Sequence, residues 1–250
     1  MAFHALRSFS IAGWNSLVRY RSIRLLRAPH HNTSALRRYA SETRNFDPLR
    51  ILFCGSDLFS CASLSALHVL HKNNPEIVKS IDVVCRAPKP VGRGYKELRP
   101  REIDSLASEL GLPVWRRDTF AGWDIPRPDN EDINLIIAVS FGLWIPSRLL
   151  SAAKYGGLNV HPSLLPQLRG AAPLQHTILQ GLTRTGVTLQ TLSTIDFDQG
   201  IRLLQLPESP GIWVAKDETP QSLLEKLGPI GAEALITGIR QGLHVAPYED

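Results

Sequence analysis

The sequence predicts a doubly wound α/β fold built on a mostly parallel sheet, and three observations carry that reading. Residues 49–54 form an apolar run that ends at Gly55, and helical spacing follows through Leu70. That is the strand–turn–helix opening of such a domain. Residues 135–139 are apolar without interruption, as a central parallel strand covered on both faces must be. Segments 88–100, 141–146 and 159–166 each follow a strand. Ligands of open α/β sheets bind beyond the carboxyl ends of the strands, so these three segments are expected to meet on one rim.

The second strand is expected at residues 81–85, ahead of the Pro/Gly-rich cationic loop 88–100. Residues 101–110 have helical spacing, Gly111-Leu112-Pro113 stops them, and Val114-Trp115 reads as a short strand. Residues 146–153 read as a helix opened by Pro146. A strand is expected at 157–161, a helix at 174–180 and a strand at 187–192, with 200–204 as a hairpin partner for the strand before it. Residues 220–227 and 230–241 read as two terminal helical stretches, and there is no internal repeat.

The 250 residues are 43% hydrophobic and 20% charged, which suits a globular chain, and no apolar run approaches a membrane span. Cys54, Cys61 and Cys85 show neither Cys-x-x-Cys spacing nor a histidine at ligand spacing. That argues for a reducing compartment and for no metal site. The net charge of +5 is unevenly placed, because residues 1–39 hold seven arginines and no lysine or acid. The remainder holds 21 basic and 23 acidic residues, so the body is near neutral. Ile11, Trp14, Val18 and Leu25 share one helical face, with several arginines off it. This is a mitochondrial transit-peptide pattern, with a cut expected after Tyr39 in Arg37-Arg38-Tyr39-Ala40-Ser41. A basic nucleic-acid-binding arm fits less well without lysine. The expected divisions are a transit peptide at 1–39, a linker at 40–48, a catalytic domain at 49–245 and the start of another linker at 246–250. The expected product is a monomer in the mitochondrial matrix with no stable membrane association.

The chemistry concentrates in Asn159-Val160-His161-Pro162. Side chains alternate across a strand, so Asn159 and His161 point to the same side. An amide and an imidazole together can hold a developing oxyanion. Asp198, in Phe197-Asp198-Gln199-Gly200, could orient the histidine and favour its charged ring. Asp196 competes with it on composition. An amide, an imidazole and a carboxylate suggest acyl transfer without a covalent nucleophile. Ser163, Leu164, Leu165 and Pro166 are too apolar for an idle exposed loop, and are expected to wall a flat ligand together with Phe141, Gly142, Leu143 and Trp144, with hydrophobic core as the alternative, for Leu164 in particular. Gly55-Ser56-Asp57 is not a Gly-x-Gly-x-x-Gly fingerprint, which argues against a nicotinamide or flavin cofactor. Arg86, Lys89, Arg93, Lys96, Arg99 and Arg101 fall within sixteen residues beside one acid, Glu97. Such a loop can track phosphates, or be merely a solvated charged surface.

Four motifs stand in order: Pro90-Val91-Gly92-Arg93-Gly94-Tyr95-Lys96, Phe141-Gly142-Leu143-Trp144-Ile145-Pro146, the Asn159–Pro166 segment running on into Arg169-Gly170-Ala171-Ala172-Pro173, and Thr185-Gly186-Val187-Thr188 ahead of Asp198. From about residue 49 to the end, the chain resembles the folate-dependent formyltransferases, and within them the branch that acts on methionyl-tRNA. The resemblance implies a Rossmann-like domain, 10-formyltetrahydrofolate as co-substrate, and formyl transfer to the α-amine of methionyl-initiator tRNA in mitochondrial translation initiation. It implies catalysis by Asn159, His161 and Asp198. It also implies tRNA contacts from Arg86, Lys89, Arg93, Lys96 and Arg99, and from Arg169 of the Arg-Gly-Ala-Ala-Pro loop.

The chain departs from the family pattern in places. Ser56-Asp57 stands where the bacterial type has Thr-Pro, and Phe197-Asp198-Gln199-Gly200 where Leu-Asp-Thr-Gly is common. The family's C-terminal β-barrel domain is expected to be absent, since Asp250 falls about where its linker begins. Two other functions fit the same residues: formylation of a small amine such as a purine precursor, and folate or RNA binding without turnover.

Overall fold

The computed structural model describes residues 44–91, 97–207 and 210–248. The arginine-rich segment 1–39 and its expected cleavage site therefore lie outside the described residues. Strands β1 (Leu49–Gly55), β2 (Val78–Cys85), β5 (Val114–Arg116), β6 (Leu135–Val139), β7 (Gly157–His161), β9 (Val187–Thr191) and β10 (Arg202–Leu206) form one sheet. Its order is β10-β9-β7-β6-β1-β2-β5. The run from β7 to β5 is parallel, while β9 and β10 add as an antiparallel edge. Chain direction across the sheet reverses between β1 and β6, the kind of switch point beyond which ligands of such sheets collect.

Both faces of the sheet are covered, which explains the uninterrupted apolar runs. Along β1, Leu49, Ile51 and Phe53 join one core. Leu52 and Cys54 join the other with Phe120, Trp123 and Leu149. The first core is closed by α1 (Leu58–Asn73), α2 (Glu102–Glu109) and α5 (Pro220–Arg240). Helices α3 (Ser147–Ala152) and α4 (Pro173–Leu179) are short links beside β7. Asp57 caps α1 by accepting a hydrogen bond from Ser60 N at 3.0 Å.

Two expectations are corrected. The two terminal helical stretches are one helix, α5, which runs through Pro229. An internal proline costs about 3 kcal/mol. Against it, Leu223, Leu227, Ala234, Leu235 and Ile239 are buried along one face, each large apolar side chain contributing about 1.5–3 kcal/mol. Gly231 sits where that face crosses α1, and a Cβ there would come within 2.7 Å of the Phe59 ring. The second correction concerns segment 88–100, expected as a loop. It contains an antiparallel pair, β3 (Lys89–Val91) and β4 (Glu97–Arg99), with Lys89 opposite Arg99. Three-residue strands without apolar alternation leave no periodic signal. A second small pair joins β8 (Arg184–Thr185), just ahead of β9 in the chain, to β11 (Ile212–Trp213).

Candidate active site

A cavity of about 590 Å3 opens at the carboxyl rim of the sheet, beside the switch point. Asp57 follows β1, Phe141, Gly142, Leu143 and Trp144 follow β6, and Asn159 and His161 end β7; all of them line it. The volume lies in the range usual for small-molecule sites.

Asp198 is the hub of the site. Its Oδ1 accepts from Asn159 Nδ2 at 2.7 Å and from Gln190 Nε2 at 2.9 Å, and its Oδ2 from Gly170 N at 2.8 Å. His161 Nδ1 stands 3.4 Å from the same Oδ1, an ion pair when the ring is protonated. The three residues expected to act together are thus joined in one network. Asp198 takes a left-handed backbone, φ 53°, which aspartate tolerates better than most side chains. Gly200 follows because a Cβ there would collide with the Thr191 carbonyl. Asp196 lies further out, bonded to the Phe197 backbone and the Gln199 amide.

His161 is placed in more detail than the sequence allowed. A carbonyl can only accept, so Nε2 carries a hydrogen and donates to Leu168 O at 2.8 Å. Both ring nitrogens therefore face protein groups. The Leu168 carbonyl holds the Nε2 hydrogen and must share or yield it before the ring can donate to another oxygen. Leu168 and Ala172 both have left-handed backbones, φ 55° and 57°. Such residues are strained by about 1–3 kcal/mol unless the surroundings hold them. The Asp198 bond to Gly170 N is one such restraint. Asn159 is less committed. Its amide has two N–H groups and Asp198 takes one, so the second is available to an oxygen in the cavity.

The expected ligand wall is corrected in part. Pro162 and the segment from Gly170 to Leu174 line the cavity, but Ser163, Leu164, Leu165 and Pro166 do not. The chain turns away from the rim after Pro162. Ser163 Oγ donates to Gln167 O at 2.8 Å, and Leu165 N to Thr188 Oγ1 at 3.0 Å. Leu164 packs where Cβ atoms on Gly186 and Gly211 would sit, and Pro166 is exposed. Leu164 thus packs at the β8–β11 corner.

The residues expected to contact tRNA are described only in part. Arg86 pairs with Asp118 at 3.2 Å beyond β2, and Lys89 and Arg99 are register partners in the β3–β4 pair. Arg93 and Lys96 lie outside the described residues. Arg169 is exposed on the far side of the cavity, beyond β7. Among the described residues no His/Cys/Asp/Glu group is placed to hold a metal ion, and no helix is long and apolar enough to cross a membrane.

Two pocket residues escaped sequence reasoning. Gln190 is the register partner of Asn159 on β9. Read alone, a glutamine in an apolar strand gives no sign that it meets a carboxylate from a distant turn. Asp57 lines the cavity, and burial raises its carboxyl above the usual range while the Ser60 backbone N–H pulls it down. A buried polar residue at the end of β1 was the available signal.

A model described as "Formyl transferase" matches residues 49–239. The mitochondrial methionyl-tRNA formyltransferase of Saccharomyces cerevisiae is 37% identical over 230 residues, 79% of this chain and 57% of that one. The methionyl-tRNA formyltransferase of Ehrlichia ruminantium (strain Gardel) is 38% identical over 191 residues, 75% of this chain and 59% of that one. The chain thus spans less than two thirds of the length of these relatives. Among solved structures, a phosphoribosylglycinamide formyltransferase from Bacillus halodurans aligns with a TM-score of 0.59 at 16% identity. That alignment covers 78% of this chain and 95% of the other. A sugar N-formyltransferase from a Shewanella species aligns at 0.57 and 19% identity, covering 81% and 72%. These two show a shared fold. The sequence matches show more: the chain belongs to the formyl transferase family.

Proposed function

We propose that the chain transfers a formyl group from 10-formyltetrahydrofolate to the α-amine of methionyl-initiator tRNA in the mitochondrial matrix. The observation that carries this reading is the Asp198 hub, which gathers Asn159, His161 and the Arg169–Pro173 loop at one rim. The names of the full-length relatives support the acceptor, and the arginine-rich residues 1–39 support the compartment.

The co-substrate supplies an amide-like formyl group whose oxygen gathers negative charge when an amine attacks. The spare N–H of Asn159 donates to that oxygen. His161 adds a second donor once Leu168 O shares its Nε2 hydrogen; it passes a proton to the departing nitrogen and is restored by the proton that the attacking amine gives up. Asp198 fixes both donors. Phe141, Gly142, Leu143 and Trp144 form the wall beside the co-substrate. Arg86, Lys89, Arg93, Lys96, Arg99 and Arg169 meet the tRNA backbone.

The test is a single-turnover assay with 10-formyltetrahydrofolate and charged initiator tRNA, which is expected to give formyl-methionyl-tRNA. Arg93→Ala is expected to raise KM for tRNA and flatten the salt dependence of binding by about one unit of slope, with folate affinity unchanged. Formylation of a small amine with none of methionyl-tRNA would overturn the reading. N-terminal sequencing of protein from mitochondria is expected to begin after Tyr39, and an intact Met1 there would remove the matrix assignment.

A further inference from the structure

The loop from residue 167 to 173 has two sides. Gly170, Ala171, Ala172 and Pro173 face the reaction cavity. Gln167, Leu168 and Arg169 face outward onto a second, open cleft of about 480 Å3, closed on its other side by His176, Gln180 and Leu182. Among the described residues that cleft has no carboxylate in its lining. It presents a guanidinium, an imidazole and two amides, a donor set suited to phosphate and sugar oxygens. Two residues past Leu182, Arg184 lies over the Trp213 ring at 5.1 Å, with Trp213 opposite it across the β8–β11 pair. Trp213 is 54% exposed, and Leu179 on the adjoining helix is 79% exposed. A large exposed aromatic beside a cation, next to a carboxylate-free cleft, is the arrangement that stacks a base while holding its backbone.

We propose that this outer face seats the unpaired 3′ end of the acceptor RNA, with backbone groups at Arg169, His176 and Gln180 and a base stacked on Trp213. The inference rests on the tRNA reading above. It adds the surface and four residues, His176, Gln180, Arg184 and Trp213, that neither the motifs nor the mechanism used. A small amine fills the reaction cavity alone. Only an extended acceptor reaches over the loop and touches both sides. Leu168, which lines the cleft, also carries the carbonyl bonded to His161 Nε2, so occupation of the outer face bears directly on the catalytic ring.

The probe is a short fluorescein-labelled single-stranded RNA ending in CCA, titrated into the full chain by anisotropy, alongside KM for methionyl-tRNA. Trp213→Ala is expected to weaken binding of the probe about tenfold, while Trp213→Phe keeps most of it because a π face remains. Arg169→Ala is expected to flatten the salt slope by about 0.7, as for one lost single-strand phosphate contact. Trp213 is exposed, so neither variant threatens folding. Adenosine monophosphate is expected to compete far more weakly than the probe; equal competition would reduce the face to a nucleotide pocket and overturn the proposal. If wild-type protein formylates methionyl-tRNA while Trp213→Ala leaves probe affinity and KM unchanged, this surface is wrong and the acceptor reading stands. If the wild type formylates no tRNA yet Trp213→Ala loses the probe, the acceptor reading fails and the surface stands.

Discussion

Two buried histidines at different ends of the molecule are treated in opposite ways. His161 is 5% exposed, and each of its ring nitrogens has a partner: Leu168 O at 2.8 Å and Asp198 at 3.4 Å. His244 is fully buried, and among the described residues neither of its ring nitrogens has a partner. Its ring sits edge-on to Phe46 at 4.5 Å and to Tyr155 at 5.1 Å. That clasp ties the end of the domain to the segment leading into β1. Burial alone lowers the His244 pKa to about 4, so the ring stays neutral and serves as an aromatic plug. A buried imidazole tied to a carboxylate beside a cavity is set up for chemistry. One surrounded by rings is set up for packing.

The largest expected effect tests that division on the chemical side. His161→Ala and Asn159→Ala are each expected to cut turnover about 100- to 1000-fold, the usual cost of losing an oxyanion donor. Folate affinity should change little, because these contacts strengthen only in the transition state. Steady-state kinetics decide it. An unchanged kcat in His161→Ala would place His161 with His244 as a structural residue.

The packing side is tested by acid. A histidine whose folded pKa lies below its unfolded value of about 6.5 contributes fully to stability above that pH. The contribution is lost as pH falls towards about 4, where the folded-state ring also takes up a proton. The loss over that window is about 3 kcal/mol for such a shift. His244→Phe keeps the ring stack and removes the titration. Denaturant unfolding from neutral pH down to about 4 is expected to show a gentler decline in the variant than in the parent. Parallel declines would mean that His244 ionises freely in the folded state.

Only one of the two histidines was legible in the sequence. His161 stood out because Asn159 shares its strand face and a proline turn follows, and strand periodicity is a local signal. His244 lies near the C-terminus with no recognisable neighbour, and its role depends on Phe46 and Tyr155, far away in the chain. The same limit explains the other misses. Strands β1 and β6 were legible because burial on both faces writes a run that is apolar throughout in β6 and apolar but for Arg50 in β1. The β3–β4 and β8–β11 pairs were not, since two or three residues carry no period. Pro229 signalled a break that the buried face of α5 overrides. Ser163–Pro166 were correctly read as apolar and wrongly aimed, because composition does not say which way a chain turns after Pro162.

Gln190 gives the smallest and most local test of the contrast. It is 1% exposed, stands opposite Asn159 on β9, and donates to Asp198 Oδ1 at 2.9 Å. It touches no reacting atom in this scheme, so its part is to position Asp198. Gln190→Leu keeps most of the buried volume and removes one donor of the hub. Asn159 Nδ2 and Gly170 N still hold the carboxylate at 2.7 and 2.8 Å. The expected result is a fall in kcat of about tenfold, the scale of one hydrogen bond to a charged group, with KM for folate unchanged. Gln190→Asn, whose shorter amide reaches Asp198 less well, should fall between Leu and the parent. A loss of thermal stability in Gln190→Leu with full turnover would instead make Gln190 a core residue of the His244 kind. The functional region would then shrink to Asn159, His161 and Asp198.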